Sequence, residues 1–364
     1  MSSQFGKVLK LTTFGESHGK SVGGILDGCP ANIRVKVTDI QAQLNRRRPG
    51  QSLLTTDRSE PDQVTIVSGI ENERTLGTPI SFYVTNQDQK PGDYEQFRRV
   101  PRPSHADFTY QAKYGNRSIS GGGRSSARET IARVAGGAIA EAVLAAQTKI
   151  EIVAWVSSVG SLDAPTADMH RLNRQDIDQN AVRCPDGPSA EKMAQFIAAL
   201  KEQGDSVGGI VSCVCRHVPP GLGEPVFAKL EAVLAQAMLS IPATKGFEIG
   251  SGFLGTRMQG SKHNDVFMAS EKGLRTKTNF SGGIQGGISN GENIYFRVAF
   301  KPPATIGVPQ KSVDFEGSEV VLESRGRHDP CVVPRAVPIV EGMAALVLAD
   351  MLLLQQTRNT GANK

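Results

Sequence analysis

The 364-residue chain is predicted to adopt an α+β fold of layered architecture, on three observations. Strand-like apolar runs follow one another without an intervening helix, which disfavours a doubly wound parallel sheet. Helix-like periodicity is clearest in five separate stretches, set among these strand-like runs. The pentapeptide Ser-Val-Gly-Gly-Ile stands at 21–25 and again at 206–210, each copy opening a β-rich stretch. Two readings of that repeat stay open: coincidence among many glycines and valines, or an internal duplication with a pseudo-twofold core.

In chain order, short β-favouring runs predict strands at Val8–Thr13 and Val22–Leu26. Helical spacing follows over Thr38–Arg47, and Pro49-Gly50 then enforces a turn. Strands are predicted at Val64–Ser68 and Ile80–Thr85, after which 86–125 lacks strong periodicity and reads as a long loop over a site. A helix is predicted over Ser126–Ala146, because Ser126 and Glu129 have capping-box spacing and Ile131, Val134, Ala135, Ala138, Ile139 and Ala142 form one apolar stripe. Strands at Ile150–Val159 and Val207–Val218 flank a helix at Ala190–Gln203; Cys213 and Cys215 alternate in the second strand and should face one side of a sheet. A helix at Val226–Leu239, a second loop over 257–290, strands at Ile294–Phe300 and Val320–Glu323, and a helix at Pro338–Gln355 complete the chain. Its longest apolar stretch, Ile339–Leu354, contains Glu341 and Asp350 and is shorter than the roughly 20 residues that span a bilayer, so it reads as a buried helix. No linker stands out, and 1–364 is expected to form one domain.

Composition narrows the function. An apolar share of 39% and a charged share of 21% indicate a globular chain, and with 5% aromatic residues its core must rest on aliphatics and alanine. A net charge of +5 with interspersed acids argues against a protein built to neutralise nucleic-acid phosphates. Arginine outnumbers lysine 24 to 17, and its planar fork suits carboxylate and phosphate, so a small, multiply anionic ligand fits. The five cysteines show no Cys-x-x-Cys spacing; buried reduced thiols and a reducing, cytoplasmic setting are expected, and no metal site. No apolar signal segment follows Met1, which leaves no expected membrane partner.

Five polar islands marked by glycine or proline carry the chemistry: Gly15–Gly19, Arg46–Gly50, Arg102–Asp107, Gly121–Thr130 and Arg325–Pro330. Each joins groups that bind anions or move protons to backbone that permits close approach, and together they suggest one composite site. Arg124 and Arg128 lie beside an expected helix start, where two more cations would repel unless an anion sits between them. Arg46, Arg47 and Arg48 end the first helix, where cations are also favourable against the helix dipole. His18 and His105 are the histidines with polar company suited to proton transfer, whereas His170, His217 and His263 read as structural. Asp329 follows two arginines and a histidine. Gly282–Gly287 lacks the Gly-x-Gly-x-x-Gly pattern, so a Rossmann site is not supported.

Taken together and in order, Gly-Glu-Ser-His-Gly at 15–19, Arg-Arg-Arg-Pro-Gly at 46–50, Gly-Arg-Ser-Ser-Ala-Arg-Glu-Thr at 123–130 and Gly-Arg-His-Asp-Pro at 326–330 make the chain resemble the chorismate synthase family over nearly its whole length. The resemblance implies a sandwich of two antiparallel sheets around a helical layer with pseudo-twofold symmetry, a homotetramer, and a 1,4-anti elimination of phosphate from 5-enolpyruvylshikimate 3-phosphate. It implies reduced FMN without net redox change, with NADPH or NADP involved only indirectly through flavin reduction. By the same resemblance His18 protonates the departing phosphate and His105 sits by the flavin, while Asp329 takes part in proton removal through flavin N5 with Ser17 and Ser126 as relays. Flavin contacts match Arg124, Ser125, Ser126, Pro242, Ala243, Gly286, Lys301, Pro302, Pro303, Ala304, Thr305 and Arg327. Substrate contacts match Arg46, Arg47, Arg48, Arg128 and Arg327. The chain departs from common family residues at Leu53 and Pro242. The alternatives kept open are a flavin- or nicotinamide-dependent oxidoreductase and an RNA-binding protein, the latter lacking aromatic residues interleaved with its arginines.

Overall fold

The computed structural model describes residues 3–52, 54–56, 58, 60–88, 97–271, 273–323 and 329–358. Two five-stranded sheets dominate it, and every pairing within them is antiparallel. The first is built from β1 (Gln4–Phe5), β2 (Lys10–Phe14), β3 (Ser21–Asp27), β4 (Val64–Ser68) and β5 (Ile80–Thr85), in the order β1-β2-β3-β5-β4. The second is built from β6 (Glu151–Val159), β7 (Leu162–Asp163), β8 (Gly209–Arg216), β9 (Thr244–Ile249) and β10 (Ile294–Phe300), in the order β9-β10-β8-β6-β7. Side-chain alternation fixes which face turns inward: Ile80, Phe82 and Val84 are buried while Ser81, Tyr83 and Thr85 between and after them are not. Cys213 and Cys215 share one face of β8, both fully buried and free.

Two helices fill the space against these sheets. The helix α3 (Thr130–Gln147) packs on β2, β3 and β5, and the 26-residue C-terminal helix Val333–Arg358 packs on β6 and β8; the two helices also pack on each other. They approach so closely that a Cβ added at Gly137 would lie 2.3 Å from the Cα of Gly342. The helix α1 (Val37–Arg47) touches both. Residues 333–353 are buried all round, as expected of a helix apolar on every side inside a core. By length and composition alone it could cross a membrane, yet 94% of its apolar window is buried within the fold.

Four expectations need correction. The last helix starts five residues before Pro338, not at it. Proline cannot donate to the carbonyl of Pro334, and Arg183 Nη1 donates to that oxygen instead, so the helix continues through the proline. Helix α3 starts at Thr130 rather than Ser126, preceded by two 3₁₀ turns at Gly123–Ser125 and Ala127–Glu129. The segment expected to be a loop over 86–125 contains the helix α2 (Asp107–Tyr114), closed by Gly115 in the left-handed region. The second expected loop, 257–290, carries the short helix Gly260–His263 and an antiparallel hairpin of Phe267–Ser270 with Gly273–Thr276.

Candidate active site

A cavity of about 950 Å³ opens between the two sheets' loops and the start of the C-terminal helix, near the upper end of the usual range for small-molecule sites. Among the described residues its lining has eight arginines and Lys301 against four carboxylates, so anionic ligands are favoured there.

The turn between β2 and β3 carries Ser17 and His18. Gly15 makes the turn possible at φ +90, since a Cβ there would meet the carbonyl oxygen of Ser21 at 2.2 Å. Ser17 is 2% exposed, and its Oγ lies 3.1 Å from His18 Nδ1. His18 packs against the glycine-rich segment, where a Cβ on Gly121 would come within 2.5 Å of its Nδ1. Asn86 holds the turn by donating to the carbonyls of Glu16 and Gly19 at 3.1 and 2.7 Å, and its Oδ1 accepts from Arg128 Nε at 2.6 Å.

Arg47 leaves the last turn of α1 and is only 1% exposed. Its Nη2 lies 2.6 Å from Asp62, and its Nη1 donates to the carbonyl of Ala127 at 3.0 Å. Arg128 reaches the other oxygen of Asp62 at 3.1 Å. Asp62 sits at φ +47, a region that aspartate tolerates better than most residues, and is fully buried between the two cations. Burial lowers the Arg47 pKa to about 10, with Asp62 opposing and Arg335 and Arg128 adding to the fall. Burial also lowers that of Arg128, with Asp62 and Glu60 opposing. For Asp62 burial pushes upward, but Arg47 and Arg128 hold it below the usual carboxylate range. Among the described residues, Arg47 Nε and Arg128 Nη2 have no hydrogen-bond partner, and buried donors of this kind call for an acceptor.

The turns before α3 replace the expected capping box. Ser126 Oγ accepts from Arg128 N at 3.4 Å, but Glu129 does not reach back to it. Thr13 Oγ1 donates to Glu129 at 2.9 Å and Arg133 Nε donates to it at 2.7 Å, and these two claim its carboxylate. Arg124 donates to the carbonyl of Gly15 at 3.1 Å and to Thr13 Oγ1 at 2.5 Å, which ties this glycine-rich segment to the His18 turn.

Elsewhere on the lining, His105 Nδ1 lies 2.9 Å from Asp107 Oδ1, and Lys301 Nζ donates to the Ser104 carbonyl at 3.3 Å. Asp329 Oδ1 accepts from Thr56 N at 3.0 Å, and its Oδ2 pairs with Arg335.

The structure therefore places Ser17, His18, Arg47, His105, Arg124, Ser125, Ser126, Arg128, Pro242, Ala243, Lys301, Pro303, Ala304, Thr305 and Asp329 on one cavity. Arg46, Arg48, Gly286 and Pro302 are not part of that lining. Arg46 turns away to Asp178 and to the buried Glu341, and Gly286 sits in the turn of the hairpin Ile284–Ser289. Leu53, Arg327 and His328 lie outside the described residues. Sequence reasoning missed Arg58, Asp62, Asn86 and Arg335; of these only Arg335, an isolated cation in an apolar helix, left a local signal. Among the described residues, no group of three His, Cys, Asp or Glu side chains could hold a metal ion.

A profile of the chorismate synthase family matches residues 9–353. A chorismate synthase of Prochlorococcus marinus is 56% identical over 366 residues, covering 100% of each chain. One from Schizosaccharomyces pombe is 55% identical over 388 residues, covering 99% of this chain and 98% of its own. A crystal structure of chorismate synthase, 32% identical, superposes with a TM-score of 0.77 over 96% of this chain and 93% of that one. Matches that run from end to end, on a fold that brings described residues of each motif, Asp329 alone from the last, to one cationic cavity, establish that the chain belongs to the chorismate synthase family, whose members are lyases.

Proposed function

We propose that the cavity holds 5-enolpyruvylshikimate 3-phosphate together with reduced FMN, and that its side chains carry the 1,4-anti elimination that yields chorismate and phosphate. The observation that carries this reading is the pair of buried guanidinium groups, Arg47 and Arg128, both paired with Asp62 and, among the described residues, left with unpaired donors on the cavity that His18 also lines. Such donors are preorganised for a phosphate and carboxylate, and they act most strongly where water is excluded.

Within this reading His18, steadied by Ser17 Oγ, gives a proton to the departing phosphate. Asp329, oriented by Thr56 N–H and Arg335, takes up the proton removed from the substrate, with Ser17 and Ser126 as relays. Arg124, Ser125, Ser126, Pro242, Ala243, Lys301, Pro303, Ala304 and Thr305 would hold the flavin, and their shared lining of a cavity this large fits two ligands side by side. Reduced flavin, when bound, supplies transient electron donation that helps expel phosphate from a substrate whose C–H bond is weakly acidic, with no net redox change. NADPH serves only to reduce the flavin.

The fold supports one domain with a pseudo-twofold sandwich: the two Ser-Val-Gly-Gly-Ile copies fall on or just before β3 and β8, the middle strands of two five-stranded sheets. Exposed Phe253, Leu254, Phe267 and Leu274 support assembly into a homotetramer. The five free, buried thiols agree with a cytoplasmic setting. Neither nucleic acid nor membrane is part of the proposal. The test is an anaerobic assay with photoreduced FMN: phosphate and chorismate should appear in equal amounts while the flavin stays reduced. Stoichiometric flavin oxidation, or no product, overturns the reading.

A further inference from the structure

Asp107 opens α2 with 4% of its surface exposed. Its Oδ2 accepts from Arg102 N at 3.0 Å and Arg102 Nε at 2.7 Å, and its Oδ1 accepts from Arg102 Nη2 at 2.8 Å. Arg117 stands a further 3.8 Å from Oδ1. Burial pushes the pKa of this carboxyl up, but hydrogen bonds from Arg102 and His105 hold it well below the usual range. An ionised carboxylate can only accept, so the His105 nitrogen 2.9 Å from Oδ1 must carry a hydrogen. Burial lowers the His105 pKa; Asp107 opposes this, while Arg102 and Lys301 add to it, so the ring is neutral at neutral pH.

We infer that Asp107 is a positioning residue that holds His105 as the Nδ1–H tautomer, leaving Nε2 bare as the proton-accepting atom of a ring that lines the cavity. What this tautomer does in the reaction rests on the reading of His105 as the residue beside the flavin. A nitrogen in this state accepts a hydrogen bond or a proton from a ligand, and a donor role is closed to it until it has taken one. When Nε2 takes a proton, the imidazolium charge lies against the Asp107 carboxylate; when the proton returns, the ring is neutral again. The lock is anchored to the segment after β10 as well, since Arg102 Nη1 donates to Thr305 Oγ1 at 3.4 Å and Lys301 holds the carbonyl of Ser104. The charged groups acting on the ring are thus Asp107 and Arg102 from its own segment and Lys301 from the end of β10.

The test is magic-angle-spinning ¹⁵N NMR of the full wild-type chain labelled at histidine, with His105 assigned by the signals lost in His105→Gln. At neutral pH, Nδ1 should show the shift of a protonated nitrogen and Nε2 that of a bare one; the reverse pattern overturns the inference. In Asp107→Asn the pH at which the His105 signals titrate should fall, and an unchanged titration would reduce Asp107 to a partner of Arg102. If that variant does not fold, the wild-type tautomer decides alone. A locked tautomer combined with unaltered flavin binding and turnover in His105→Gln would sink the flavin role of His105 and leave the Asp107 inference standing.

Discussion

Neighbouring arginines have different fates in this chain. Arg47 enters the cavity wall with Asp62 and Arg128, whereas Arg46 pairs with Glu341 on the C-terminal helix and with Asp178. Arg47→Ala is expected to weaken substrate binding by about one to two decades, the worth of a charge-assisted contact in a dry site. Lysine at this position should rescue poorly because it lacks the bidentate fork. Arg46→Ala should instead lower stability, since Glu341 loses one of its two cations, and leave substrate affinity within about a factor of two. Calorimetry with substrate and urea titration on both variants separate these outcomes; equal losses of affinity would put Arg46 back in the site. Acid supplies a second check. Asp62 and Asp107 both have folded pKa values below the usual one, so the unfolded chain binds more protons as pH falls. Their stabilisation is complete above the unfolded carboxylate value of about 4 and is lost progressively below it. Urea midpoints measured from pH 7 to pH 3 should drop below about pH 4, and Asp62→Asn should flatten that drop.

At the scale of elements, the contact between α3 and the C-terminal helix depends on a missing side chain. A Cβ at Gly137 would lie 2.3 Å from Gly342 Cα and 2.8 Å from its carbonyl carbon and oxygen, all backbone atoms of a buried helix that cannot yield locally. Gly137→Ala raises helix propensity by nearly 1 kcal/mol in isolation, yet overpacking in a core costs about 1–3 kcal/mol or more. The expected result is therefore a lower urea midpoint, and a higher one would show that the helices are free to part. The same pair of helices sets the site, because α3 begins beside Arg128 and the C-terminal helix carries Arg335.

For the whole molecule, the cavity is assembled from both sheets' loops and both helix starts, and among the described residues its cations outnumber its carboxylates by about two to one. Each anionic ligand relieves repulsion among the cations, and two adjacent ligands complete each other's walls. Flavin is therefore expected to bind weakly alone and at least tenfold more tightly with substrate present, a coupling of about 1.4 kcal/mol or more, and substrate must show the same factor toward flavin. Fluorescence titration of flavin with and without substrate reads this directly; equal affinities would remove the shared-cavity argument.

Local periodicity and residue chemistry were legible without coordinates. Val64–Ser68, Ile80–Thr85 and Ile294–Phe300 are strands with the boundaries their apolar pattern predicts, because period-two alternation is written in consecutive residues. The motifs were legible for a similar reason, since each is a short run whose glycines and charged groups act together. What only the tertiary structure decided is direction and partnership. Arg46 and Arg47 diverge because successive helical side chains are about 100° apart, and which one meets Asp62 depends on a segment that carries no periodic mark. Glu129 left its expected capping role for Thr13 and Arg133, and Pro338 was tolerated inside a helix because Arg183, far away in sequence, serves the carbonyl it leaves open. Long-range hydrogen bonds of this kind compete with local preferences on equal energetic terms, and a linear pattern holds no record of who stands opposite.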